Sequence, residues 1–141
     1  TLMASANAIR ACYDDRLAPL GLTLSTAMLL AYVNEFGPVN QSRAAEHLGQ
    51  GRATTGVQVD RLESLGLLVR QPDPDDRRVW LLAATVEGTA LAARIADCDR
   101  VLRNELRAGI SRAERQQLAA LLVRLQENLL AAQRFDEQPH Q

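Results

Sequence analysis

The sequence predicts a mainly helical α+β fold, in which two short central helices are followed by a β-hairpin. Three observations support this prediction. Apolar residues recur at spacings of three and four through most of the chain, which is the period of an amphipathic helix. Two β-prone runs, Leu67–Arg70 and Val79–Leu82, flank a segment that holds two prolines and three aspartates. Glycine or proline follows most of the helical segments and marks where they end.

The first two helices precede residue 38. Residues 2–17 carry one apolar stripe, and the proline and glycine that follow end this helix. Thr23 is a suitable N-cap for a second helix over residues 24–36. Because that helix is apolar around most of its circumference, we expect it at the centre of the core, with Met28 and Tyr32 packed inside.

A helix-turn-helix follows. Asn40 is a good N-cap for a helix of about two turns over residues 41–48, and Gly49 can take the left-handed conformation that closes it. A second amphipathic helix is expected over residues 52–65, with Gly66 as its C-terminal stop. Together with the hairpin, these helices predict a winged helix-turn-helix.

Two longer helices complete the chain. Thr85 caps the first of them, which continues to Gly109, and Ser111 with Glu114 forms a capping box that opens the last. Leucines then repeat at near-heptad spacing, at Leu118, Leu121, Leu122, Leu125 and Leu129. A stripe of this length has too little remaining sequence to pack against within one subunit.

Composition bounds the function only loosely. The chain has 141 residues, 47% of them hydrophobic and 23% charged, which is typical of one soluble domain. No apolar run is long enough to span a bilayer and no secretory leader follows the first residue, so we expect a cytoplasmic protein with no membrane partner. A net charge of −1 does not by itself indicate a nucleic-acid binder. The two cysteines have no disulfide-scaffold or zinc spacing, so no metal and no cofactor is expected.

The central third of the chain resembles the MarR family of bacterial transcription regulators. The residues that carry the resemblance are Asp60-Arg61-Leu62-Glu63, Gly66-Leu67, Arg70, Asp73-Pro74, Asp76-Arg77-Arg78, Thr85 and Gly88. Two positions depart from the family pattern, since Gln58 replaces an apolar residue and Ala84 replaces leucine. The resemblance implies a DNA-binding winged unit over residues 23–85, and a helical dimerisation region formed by residues 1–22 and 86–141.

The resemblance also implies a sequence-specific regulator of transcription that is not an enzyme. It is expected to be a homodimeric repressor on pseudo-palindromic duplex DNA, released by a small aromatic effector or another signal. The expected dimerisation residues are Leu2, Ile9, Leu118, Leu122, Leu125 and Leu129. The alternative is a monomer in which the terminal helices cap the winged unit.

DNA contacts are expected along the first turns of the second helix of the helix-turn-helix. If Thr55, Val59 and Leu62 face the core, the opposite side of that helix carries small residues that allow the backbone to approach base edges. Val57 can touch thymine methyl groups, and the arginines more often meet phosphate. The expected contact residues here are Ser42, Arg43, Arg52, Ala53, Thr54, Gly56, Val57 and Arg61.

The hairpin turn is the second expected contact. In the family pattern the aspartate two residues before the second arginine pairs with it and aims it at the minor groove. Asp76 and Arg78 match that pair, and Arg77 is a further basic candidate. The alternative is a solvated charged turn without a DNA role.

Two other readings remain open. The fold does not dictate its function, so the alternative is a winged-helix protein–protein interaction module without DNA binding. An enzyme is not favoured, because His47 and His140 lie alone and no nucleophile, base and orienting group can be assembled. Cys12 is the redox candidate, although the residues after it do not match the peroxide-sensing subgroup. A helical cysteine that faces a core is usually inert.

Overall fold

A computed structural model describes the backbone of residues 1–136 and the side chains of residues 1–133. His140 lies outside these residues. The described chain has six α-helices and three short strands. Their bounds are α1 Leu2–Leu17, α2 Leu24–Phe36, β1 Val39–Asn40, α3 Gln41–Leu48, α4 Arg52–Ser64, β2 Leu68–Pro72, β3 Trp80–Ala84, α5 Val86–Leu106 and α6 Arg112–Asp136. A 3-10 turn over Ala18–Leu20 separates α1 from α2.

The chain divides into two compact units, Thr1–Leu102 and Arg103–Gln141. In the first unit α2 is the central helix, since Leu29 and Leu30 are both fully buried. The other core residues come from every neighbouring element, and the largest fully buried ones are Leu17, Val33, Thr55, Val59, Leu62, Leu68 and Leu82. The prediction of a central second helix is therefore confirmed.

One expectation about α2 is wrong. Tyr32 is buried at 8% exposure, but Met28 is 46% exposed and Phe36, on the same face of the helix, is 54% exposed. The apolar circumference of α2 is wider than the surface its neighbours cover.

No described helix is by itself long and apolar enough to cross a membrane. Among the described residues, one bent pair, Leu2–Leu20 and Leu24–Phe36 at 70° to each other, meets that length and composition jointly.

The predicted helix caps are confirmed by their hydrogen bonds. Thr23 and Thr26 form a reciprocal capping box at the start of α2. The Oδ1 of Asn40 accepts the backbone N–H of Arg43 at 2.8 Å, which caps α3. Gly49 ends that helix at φ 62°, a conformation in which a residue with a Cβ is strained. The start of α2 and both ends of α3 are therefore fixed by residues a few positions away in the sequence.

The second unit contains the end of α5, the turn at Gly109 and α6. Ser111 N–H donates to Glu114 Oε2 at 2.8 Å, and Glu114 N–H donates to Ser111 Oγ at 3.3 Å. These bonds form the predicted capping box, and hydrogen bonding to Ser111 lowers the pKa of the Glu114 carboxyl. Every described side chain of α6 is exposed except that of Arg115, which is half-buried.

The sheet has three antiparallel strands in the order β1-β3-β2. The sequence predicted only the hairpin of β2 and β3, in which Leu68 pairs with Ala84 and Pro72 pairs with Trp80. The strand β1 was not predicted, because two residues are too few to show an alternating pattern. Its Val39 pairs with Leu82 and joins the hairpin to the start of α3.

The junction between the hairpin and α5 explains the Thr85 and Gly88 pattern. Thr85 Oγ1 donates to Gly66 O at 2.6 Å and accepts the N–H of Gly88 at 2.9 Å. A Cβ on Gly88 would lie 2.1 Å from Leu67 O, so only glycine lets α5 start this close to the hairpin. The start of α5 is thereby held against the base of the wing.

Candidate nucleic-acid interface

The helix α4 is held by one buried face. Thr55, Val59 and Leu62 are fully buried, as predicted. Thr55 Oγ1 also donates to Gly51 O at 3.1 Å, so its hydroxyl is satisfied within its own helix. Thr55 is therefore a packing residue, and the opposite side of α4 faces solvent.

That exposed side of α4 presents a short edge of small and apolar residues between two arginines. Val57 is 70% exposed, the highest value for a large apolar residue on α4. The other exposed candidates on this helix are Arg52, Ala53, Thr54 and Arg61. The edge is accessible and narrow enough to let the backbone come near a groove floor, as base-edge reading requires.

Gly56 does not lie on this edge as expected. It is half-buried, and a Cβ built on it would lie 3.1 Å from Nε2 of Gln41 on α3. The same amide nitrogen donates to Arg52 O at 3.3 Å, which ties the start of α3 to the start of α4. The outward placement of Gly56 is therefore wrong, because the contact between α3 and α4 occupies that side.

Ser42 and Arg43 lie exposed in the first turn of α3, where unpaired backbone N–H groups favour an anion. One of those donors, the N–H of Arg43, is already used by Asn40. An open cleft of about 480 Å³ lies beside this turn. Its lining includes Pro38, Asn40, Arg43, Gln71, Asp73 and Asp75.

The wing turn holds Arg78 in a two-point contact. Its Nε lies 3.0 Å from Asp76 Oδ1 and its Nη2 lies 3.0 Å from Asp76 Oδ2. The backbone N–H of Arg78 also donates to Asp76 Oδ1 at 3.1 Å. These bonds lower the pKa of the Asp76 carboxyl and raise the pKa of Arg78. The Arg78 side chain is 90% exposed, so the guanidinium is oriented and still accessible.

The acids of the wing turn are largely used within the turn. Besides the contact of Asp76, the Oδ1 of Asp73 accepts the N–H of Asp75 at 2.8 Å. The backbone closes around them, since Asp73 N–H donates to Val79 O and Val79 N–H donates to Asp76 O. Arg77 is exposed beside Arg78. The turn is thus a structured loop that displays two arginines.

Sequence reasoning missed a bridge between α4 and the wing. Arg70 on β2 reaches Asp60 Oδ1 at 2.7 Å through Nη2 and contacts Glu63 Oε2 through Nη1. Hydrogen bonding to Asp60 raises the pKa of Arg70. All three residues belong to the motif that carries the family resemblance. The signal was therefore present as two acids one helical turn apart followed by an arginine on a strand.

The histidine, the cysteines and the expected dimerisation residues named from the sequence lie outside the candidate interface surfaces described above. His47 stacks on Tyr32, with ring centroids 4.1 Å apart. Cys98 is half-buried and packs against the core, whereas Cys12 is exposed. Cys12 is exposed because the turns of α1 before Leu17 have no buried side chain, so it is not a core cysteine within the single chain. The expected dimerisation residues Leu2, Ile9, Leu118, Leu122, Leu125 and Leu129 are all exposed, at 36–53%.

Comparisons with known proteins agree with the winged helix-turn-helix fold. The sequence profile of the MarR family matches residues 20–79. The structure of the transcriptional regulator SlyA matches with a TM-score of 0.86 at 26% identity and covers 96% of each chain. The CouR repressor bound to a 23-mer DNA duplex matches with a TM-score of 0.81 at 27% identity and covers 88% of each chain.

A second CouR structure, from Rhodococcus jostii RHA1 and bound to p-coumaroyl-CoA, is 30% identical with a TM-score of 0.78. This match covers 86% of the present chain and 85% of CouR. The profile match spans α2, the helix-turn-helix and the wing turn, and it includes every residue of the resemblance except Thr85 and Gly88. The structural matches cover 86–96% of the chain at 26–30% identity, and the chain belongs to the MarR family of transcription regulators.

Proposed function

We propose that this regulator is a cytoplasmic homodimeric repressor that binds pseudo-palindromic duplex DNA in a sequence-specific way. The observation that carries the proposal is the wing turn, where Asp76 holds the exposed guanidinium of Arg78 at two points. Held in this geometry, the guanidinium loses less conformational entropy when it enters a narrow groove.

The helix α4 supplies the second contact. Its exposed edge would enter the major groove, with Thr54 and Val57 toward base edges and Arg52 and Arg61 toward phosphates. Ser42 and Arg43 at the start of α3 would add phosphate contacts. Because the net charge is −1, affinity would rest on a few placed contacts and not on a broad basic field.

Homodimerisation is supported by exposed apolar side chains on two elements. On α1 these include Leu2 and Ile9, and on α6 they include Leu118, Leu122 and Leu125. Rows of exposed large apolar residues at helical spacing are typical of helices that pack against a partner chain. A two-fold dimer would present two copies of α4 to two half-sites.

The releasing signal is proposed to be a small aromatic effector. The support is the relative CouR, since one CouR structure contains p-coumaroyl-CoA and another contains a DNA duplex. An effector that binds only the DNA-free state shifts the equilibrium away from the operator by its differential affinity. Titration of aromatic acyl thioesters into the protein–DNA complex would test this part.

The experiment for DNA binding begins with selection of duplexes from a random pool, followed by titration at two salt concentrations. Arg78→Ala should lower affinity by about tenfold or more and reduce the salt slope by about one unit for each phosphate that the variant no longer neutralises. Arg94→Ala is the matched control, because Arg94 is an exposed arginine on α5 away from the wing. It should leave both quantities unchanged.

Asp76→Ala separates aimed contact from simple field electrostatics. Removal of the carboxylate changes the net charge of the chain from −1 to 0, so field electrostatics alone predicts tighter binding. If Asp76 aims Arg78, affinity should instead fall or stay level. Clearly tighter binding would remove the assigned role of the wing. Failure of the wild type to enrich any sequence would favour the alternative of a protein–protein interaction module.

A further inference from the structure

Trp80 is an exposed aromatic residue beside the candidate interface, and the proposed contacts do not use it. It is the single tryptophan of the chain, is 56% exposed, and is the first residue of β3 after the wing turn. An indole left this open to solvent keeps a large apolar surface in water. We therefore asked which binding partner could cover this exposed indole.

The register of the sheet tells which way Trp80 faces. Side chains alternate along a strand, so Trp80 shares a face with Leu82, and their cross-strand partners are Pro72 and Arg70. Leu82 is buried at 1% exposure and Arg70 reaches Asp60 on α4. Trp80 therefore lies on the face of the wing that looks toward α4, two residue pairs nearer to the wing turn than Arg70.

The position of Trp80 places it next to the DNA backbone if α4 and the wing turn enter neighbouring grooves of one duplex. Adjacent major and minor grooves are separated by a single sugar–phosphate strand. The wing face that looks toward α4 then faces that strand. Arg52 and Arg61 on α4 and Arg77 and Arg78 on the turn lie on its two sides. The acids Asp60, Glu63 and Asp76 lie on the same surfaces, and each is paired with Arg70 or Arg78. The exposed arginines are therefore the groups there that attract a polyanion.

We propose that Trp80 packs its indole face against the deoxyribose of the DNA strand between the two grooves, with Nε1–H donating to a phosphate oxygen. The proposal rests on the proposed function. A deoxyribose offers an apolar C–H face and the adjoining phosphate offers an acceptor, which matches an indole with one apolar body and one donor. Sugar and phosphate contacts carry no base identity, so Trp80 adds affinity and register without altering sequence preference.

The test uses Trp80 emission as its own reporter, because the protein has no second tryptophan. Unlabelled duplex from the selection is added to wild type, and protein binding to fluorescein-labelled duplex is followed in parallel by anisotropy. Indole emission should change with the same midpoint as the anisotropy. Trp80→Ala should bind about tenfold more weakly, to operator and random duplex alike, with the salt slope unchanged because the substitution removes no charge.

Two further variants sharpen the result. Trp80→Phe keeps a ring but removes the N–H donor, so its affinity should fall between those of wild type and Trp80→Ala. Val69→Ala is the control, because Val69 is 38% exposed on the opposite face of the same hairpin and should not affect binding. Circular dichroism of each variant checks that the fold is retained.

The outcomes separate this proposal from the function on which it rests. If the anisotropy of no labelled duplex changes when protein is added, both the DNA-binding function and the role of Trp80 are overturned. Normal binding with constant indole emission, or equal affinity of wild type and Trp80→Ala, would overturn only the role of Trp80. Emission that depends on protein concentration without DNA would place Trp80 between protein copies and would likewise refute a DNA contact.

Discussion

Removal of the Arg70 bridge should loosen the attachment of the wing to α4. The Arg70 side chain is 28% exposed, and its partners Asp60 and Glu63 are 69% and 41% exposed, so both ion pairs are partly screened by water. Pairs of this kind contribute roughly 0.2–1 kcal/mol each. Two pairs and the packing of the arginine stem predict that Arg70→Ala lowers the free energy of unfolding by about 1–2 kcal/mol.

The assay is urea unfolding of four proteins that form a double-mutant cycle: wild type, Arg70→Ala, Asp60→Asn and the double variant. We expect a coupling energy of about 0.5 kcal/mol or more, which decreases as salt is added. Arg70→Lys should recover only part of it, because an ammonium cannot contact both carboxylates as the guanidinium fork does. Arg94→Ala serves as the control for removal of an exposed arginine. A coupling energy near zero would refute the structural role assigned to the bridge.

Three further predictions concern the wing turn, the dimer and the α5 junction. The folded pKa of Asp76 is lowered by Arg78, so the ion pair should persist above the ordinary aspartate range and be lost as pH falls through the folded pKa. Carboxyl NMR titration of wild type and Arg78→Ala measures this, and identical pKa values in both would contradict it. Leu122→Glu would bury an unpaired charge in the dimer interface, so sedimentation should show monomers or aggregates. The control Gln126→Glu should stay dimeric. If both variants remain dimers, Leu122 does not lie in the interface. Gly88→Ala should cost about 1–3 kcal/mol in thermal unfolding, because its Cβ meets Leu67 O, whereas Gly51→Ala, with nothing within 4 Å, should change stability by under about 1 kcal/mol. Equal stabilities would show that the backbone adapts at Gly88.

Residues close together in the sequence determine where most of the helices of this protein begin and end. The caps at Thr23, Asn40 and Ser111 and the left-handed glycine at Gly49 are encoded by residues a few positions apart. Such interactions depend little on the rest of the fold, so residue type and spacing predict them. The Asp76–Arg78 contact is also short in sequence, but its pairing was predicted from the family resemblance.

Tertiary structure decided the features that depend on which elements become neighbours. The strand β1 exists because β3 offers it a hydrogen-bonding edge, and its two residues carry no pattern of their own. Met28 is exposed because no neighbouring element covers that face of α2, although its helix is apolar on several sides. Periodicity shows that a face is apolar, but the packing around the helix decides whether that face is buried.

The candidate interface divides in the same way. From the sequence, the helical period predicted α4 and the buried position of Thr55, and the family resemblance predicted the pairing of Asp76 with Arg78. The tertiary structure turned Gly56 toward Gln41, joined Arg70 to Asp60 and Glu63, and placed Trp80 on the wing face that looks toward α4. Each of these features depends on how two separate helices or strands pack against each other. No local sequence pattern encodes that packing.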